Sequence, residues 1–126
     1  MIGRLSIGIG CSSRACSDDV IHLIQTSVAE IPAGSILATL DRRAAMGESV
    51  ASILGLRLVL FPACVLAKIE GTTSQSSAAL SATGTANVAE SSALASLGPS
   101  ARLLVAKRNG RFCTCAVAVS TNRKRP

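Results

Sequence analysis

The chain has 126 residues, the size of one domain, and 48% of them are apolar. Aromatic residues make up 2%, with no Trp and no Tyr, so the core is Ala, Val, Ile and Leu and the base-stacking platforms of nucleic-acid modules are missing. The formal net charge is +6, and after Glu90 every charged residue is basic (Arg102, Lys107, Arg108, Arg111, Arg123, Lys124, Arg125), which suits an anionic partner.

Residues 5–9 read as a first strand, followed by the small, polar loop Gly10-Cys11-Ser12-Ser13-Arg14. Ser17 offers an N-cap with Asp18 and Asp19 in the first helical turn, where the helix dipole favours acids. Val20, Ile24, Val28 and Ile31 form one apolar helix face, stopped by Pro32 and Gly34. A second strand is predicted at 35–40, a short helix at 44–54 closed by Gly55, and a third strand at 57–61. Pro62 sits at the start of a helix over 63–69.

Residues 70–87 are rich in Ser, Thr, Ala and Gly with little periodicity, save for one short element near 77–80. An alanine-rich helix over 88–97 stops at Gly98-Pro99. Strands at 102–106 and 112–119 flank Asn109-Gly110, the strongest short hairpin signal. The sum is a single α/β domain over 1–119 with a basic tail at 120–126. It forms a three-layer α/β/α sandwich with a small mixed sheet ending in a hairpin.

Five cysteines, Cys11, Cys16, Cys64, Cys113 and Cys115, match neither a disulfide framework nor a zinc spacing. Reduced thiols and no metal or cofactor are expected. The apolar run before Cys11 is too short for a signal peptide, and the longest apolar stretch holds Arg57 and Pro62. A cytoplasmic protein that does not enter the membrane is expected.

Ligands of open α/β sheets bind beyond the carboxyl ends of the strands. Three segments reach that edge. The first is Gly8-Ile9-Gly10-Cys11-Ser12-Ser13-Arg14, with unsatisfied amides before a helix N-terminus and an arginine able to grip a carboxylate. It lacks the third glycine of a dinucleotide fingerprint and the lysine of a P-loop, which weakens a nucleotide or phosphate reading. The second holds Asp41, Arg42, Arg43 and Glu48, either acid/base groups or a surface charge cluster. The third runs from Gly84 and Thr85 through Asn87 to Glu90. Helix capping and a catalytic Glu90 both account for it.

Together these segments resemble the CobE / CbiG C-terminal family of cobalamin biosynthesis. Gly8-Ile9-Gly10-Cys11 resembles its Gly-Ile-Gly-Cys start, and Ala38-Thr39-Leu40-Asp41-Arg42-Arg43 its Ala-Thr-Ile/Leu-Asp-x-Lys segment. Leu54-Gly55-Leu56-Arg57-Leu58 resembles its third-strand entry. Gly84 with Val88-Ala89-Glu90 resembles its last helix start, and Leu103-Leu104-Val105-Ala106-Lys107 one of its closing strands. Where the family carries Lys-Ala-Asp-Glu-Pro, this chain reads Arg43-Ala44-Ala45-Met46-Gly47-Glu48. The length matches the free-standing CobE form.

The resemblance implies corrin-ring construction and a precorrin-type polycarboxylate tetrapyrrole as ligand. A hydrolase-like activity of the CbiG kind is one role it implies; a carrier or accessory partner of the pathway's methyltransferases is the other. Glu90 and Asp41 are then the candidate catalytic groups. Gly8, Gly10, Cys11, Ser12, Ser13, Arg14, Arg43, Gly84, Thr85 and Lys107 are the candidate ligand-binding residues.

Overall fold

The computed structural model describes residues 4–69 and 88–120. Gly84, Thr85, the element predicted near 77–80 and all but the first residue of the basic tail lie outside the described residues. Element order is β1 (Arg4–Cys11), α1 (Ser17–Ser27), β2 (Ile36–Leu40), a 3-10 turn (Asp41–Arg43), α2 (Ala44–Leu54), β3 (Arg57–Phe61), α3 (Ala63–Leu66), α4 (Val88–Leu97), β4 (Ala101–Asn109) and β5 (Cys113–Ser120).

The strands form one mixed sheet in the order β3-β2-β1-β5-β4. β1, β2 and β3 are parallel, while β5 runs antiparallel to both β1 and β4. Side chains alternate between the two faces of a strand. Ile7 and Ile9 of β1 join Leu37, Cys113, Cys115 and Val117 under Val20, Leu23 and Ile24 of α1 and Val50 and Ala51 of α2. The intervening residues Ser6, Gly8 and Gly10, with Ala38 and Ala118, face α4 instead.

That second face is built from small residues, and the choice has a steric reason. A side chain on Gly8 would run into the carbonyl oxygen of Ala89, and its Cβ would lie 2.7 Å from Ser92 Oγ and 2.8 Å from Ala93 N. α4 itself is Ala- and Ser-rich, with residues Ala89 through Leu94 all buried. The buried Ser92 hydroxyl donates to Val88 O at 2.7 Å, and the partly buried Ser96 donates to Ser6 Oγ at 2.6 Å.

α2 and β3 have the predicted bounds, and Gly55 closes α2 in the left-handed conformation at φ 71°. α1 differs at both ends. Its N-cap is Cys16, one residue before Ser17, and the Cys16 N–H donates to Asp19 Oδ2 at 3.2 Å. It stops at Ser27, four residues short of Ile31, because the hydroxyls of Thr26 and Ser27 both donate to Leu23 O, at 2.9 and 2.8 Å. Val28 leaves the helix extended, and Val28 and Ile31 still pack on the core. α3 is four residues long, shorter than the predicted 63–69.

The hairpin also departs from expectation. β4 continues to Asn109, and neither Asn109 nor Gly110 has a positive φ, so no type I′ turn forms there. Leu23 of α1 presses on Gly110, with Cδ2 only 2.9 Å from where a Cβ would stand. The glycine is needed for that approach, and the left-handed residue is Phe112, at φ 62°.

Candidate functional site

Parallel pairing puts the carboxyl ends of β1, β2 and β3 on one edge of the sheet. The antiparallel β5 begins there, with Cys113 opposite Cys11. α4 starts at the same edge: Val88 Cβ lies 3.5 Å from where a side chain on Gly10 would begin. The amino ends of α1 and α2, which follow β1 and β2 directly, open there too.

Between α1 and α2 lies an open cleft of about 370 Å³. Cys11, Ser12, Ser13 and Ser17 form one wall and Arg42, Arg43, Met46 and Ser49 the other. Two of the predicted segments therefore meet, the one after β1 and the one after β2. No side chain caps α2, whose N-cap is Arg43 and whose first turn holds no acid. The 3-10 turn runs straight into α2, with the Ala44 N–H donating to Asp41 O, so the groups offered to an anion entering the cleft are the Arg42 and Arg43 guanidinium groups. α1 differs, since Asp18 and Asp19 occupy its first turn. The amide of Cys16 and the nearby Arg111 and His22 hold the Asp19 carboxyl below its ordinary value, the amide most strongly. Burial pushes the Cys11 thiol up, and the Arg43 charge opposes that rise.

The remaining predicted residues fall elsewhere. Gly8 is buried beneath α4, and Gly10 lies beside Thr114 and Val88, so both glycines serve helix packing. Asp41 is exposed in the 3-10 turn and does not line the cleft. Glu90 is fully buried, and its Oε2 accepts the backbone N–H of Lys107 at 2.7 Å. It joins α4 to β4, away from the cleft lining. Lys107 is exposed near the end of β4.

Arg14 stands at the rim, beside Arg111 and beside Phe112, which sequence reasoning passed over. Its guanidinium carbon lies 4.9 Å from the centroid of the Phe112 ring, and that of Arg111 lies 5.6 Å from the same centroid. The Ser12 N–H donates to Phe112 O at 3.0 Å, which fastens the hairpin tip to the cleft wall. Arg42, Met46 and Ser49 were also outside the predicted binding set. Their helical spacing of three to four residues was the signal that puts them on one face.

All five cysteines are free thiols, and no group of three or more His, Cys, Asp or Glu among the described residues is placed to hold a metal. No helix among the described residues is long and apolar enough to cross a membrane.

Known proteins give this geometry its context. No curated protein sequence matches the chain. The fold is similar to the crystal structure of CobE, a protein from the cobalamin (vitamin B12) biosynthetic pathway, with a TM-score of 0.81 and 29% identity over 98% of this chain and 95% of that one. It is also similar in fold to the cobalamin biosynthesis protein chiG from Agrobacterium tumefaciens str. C58, with a TM-score of 0.68 and 22% identity over 94% of this chain and 99% of that one. Residues 5–118 match the family model described as Cobalamin synthesis G C-terminus, and the chain belongs to that cobalamin biosynthesis family.

Proposed function

We propose that this protein binds a polycarboxylate precorrin intermediate at the carboxyl edge of its sheet and presents it to other enzymes of corrin construction. The observation that carries the reading is the cleft itself, where Arg42 and Arg43 face the serine-rich loop after β1. A precorrin is fringed with carboxylates, and a carboxylate on such a rim meets charge-assisted donors from two sides. Met46 and the Cys11 side chain add apolar surface for a macrocycle edge.

Binding is favoured over hydrolysis by what surrounds the cleft. A hydrolase-like activity needs a base to activate water, and among the described lining residues there is no carboxylate and no imidazole. Glu90, the acid named by family resemblance, has its carboxylate on the Lys107 amide.

Fluorescence titration with uroporphyrin, an eight-carboxylate tetrapyrrole, tests the reading. Arg43→Ala should weaken binding by about 1.5 to 3 kcal/mol, the range for hydrogen bonds to charged groups. Wild-type affinity in both Arg43→Ala and Arg42→Ala would remove the cleft from the account.

A further inference from the structure

Phe112 is the one non-glycine residue with positive φ among the described residues. An aromatic side chain is disfavoured in that region, and strained backbone of this kind persists where something else fixes it in place. The ring is also 40% exposed, so it is not held there by burial in the core. The hairpin tip around it is closed by the Gly110 N–H donating to Cys113 O at 2.8 Å, and in that turn the ring meets two cations: Arg14 at 4.9 Å and Arg111 at 5.6 Å from the ring centroid.

Bringing two guanidinium groups to one ring has an electrostatic consequence. They repel each other, and of the nearby acids Asp19 faces Arg111. Arg14 lies between Ser13 and Ala15, which both line the cleft, and its backbone N–H donates to Ser12 Oγ at 3.2 Å. An anionic group on the ligand relieves the repulsion that the ring imposes.

We propose that Phe112 is a positioning residue: its ring holds Arg14 at the rim of the cleft to receive a carboxylate of the ligand, and its left-handed backbone is kept for that placement. The choice of ligand rests on the precorrin reading; the holding of Arg14 does not. Exchange of the ring for glycine removes both the strain and the arginine's support. Phe112→Gly should therefore be more thermostable, by roughly 3 to 6 °C, while binding more weakly. A purely structural residue would give the opposite pairing.

The experiment compares wild type, Phe112→Gly, Phe112→Tyr and Arg14→Ala by thermal unfolding, uroporphyrin titration and NMR of the arginine side chains. In wild type and Phe112→Tyr the Arg14 δ-protons should be shifted by the ring current, and in Phe112→Gly they should return to ordinary values. Uroporphyrin affinity should fall roughly five- to ten-fold in Phe112→Gly and be restored in Phe112→Tyr. Adding Arg14→Ala to Phe112→Gly should lower it no more than about two-fold further. Unshifted Arg14 protons in wild type, or a Phe112→Gly protein that is less stable than wild type, overturns the proposal whatever the ligand. Full affinity in Phe112→Gly overturns it while leaving the precorrin reading in place. Failure of wild type to bind uroporphyrin, with the NMR and stability results as expected, overturns the ligand choice and leaves the holding of Arg14 supported.

Discussion

Glu90 Oε2 accepts the backbone N–H of Lys107 at 2.7 Å, with Glu90 fully buried in the first turn of α4. The bond joins a helix on one face of the sheet to a strand that, among the described residues, pairs only with β5. Replacing Glu90 with Ala leaves that amide without its acceptor and should destabilise the fold by about 1.5 to 3 kcal/mol. Glu90→Gln keeps an acceptor and should lose less. Both variants, at temperatures where they are folded, should bind uroporphyrin within about two-fold of wild type. Chemical denaturation and titration of the same preparations check this, and a well-folded Glu90→Gln protein that has lost its function would restore the catalytic role.

Gly8 makes a second stability prediction. Its Cβ in a Gly8→Ala variant would collide with backbone atoms of α4, which cannot rotate away as a side chain can. The helix must lift from β1, at about 1 to 3 kcal/mol or more. A Gly8→Ala protein with an unchanged unfolding midpoint would show that α4 is not seated as described.

How far the sequence foretold this molecule depends on which physical signal was in play. α2 and β3 were legible because Gly55 separates them with a left-handed stop that local chemistry alone requires. The end of α1 was not, since apolar periodicity continues to Ile31 while two hydroxyls divert the Leu23 carbonyl. Asn109-Gly110 misled in the same way: Gly110 is demanded by a helix 87 positions away in sequence, at Leu23, which no local rule detects. The loops that build the cleft were found because strand ends are predictable from topology. Glu90 was placed correctly on a helix start, but its partner on β4 exists only in three dimensions. Phe112 was read as the first residue of a strand, and its contact with Arg14 joins two loops that only sheet pairing brings together.

The cysteines give a chemical readout. Burial raises the Cys113 thiol to about 11, with the neighbouring Asp19 adding to the rise. Burial raises Cys115 as well, against the opposing Ser27 hydroxyl. Thiolates are the reactive form, so at pH 8 both should react slowly with a disulfide reagent. Cys16 and Cys64, which are exposed, should react first. Cys11 lines the cleft, and bound uroporphyrin should slow its alkylation, followed by mass spectrometry of the peptides. Unprotected Cys11 at saturating uroporphyrin would argue that the ligand sits elsewhere.

The same thiol sets a pH limit. Cys113 holds its proton to about pH 11 when folded, while an unfolded thiol loses it near the ordinary value of 9.0. Between these values the folded state binds more protons than the unfolded one, so stability must fall as pH rises. Below pH 9 the contribution is fully present. Denaturant midpoints at pH 8 and pH 10.5 should therefore differ more in wild type than in Cys113→Ala. Equal differences in the two proteins would remove Cys113 as the cause.

The central claim is that a carboxylate-bearing macrocycle sits between α1 and α2 at the carboxyl edge of the sheet. Backbone amide shifts on titrating labelled protein with uroporphyrin test it most directly. Shifts should concentrate at Cys11, Ser12, Ser13, Arg42, Arg43 and Met46, and they should weaken as salt screens the guanidinium groups. Saturable shifts that instead centre on Lys68, Leu94 and Pro99, at the opposite end of α4, would contradict it.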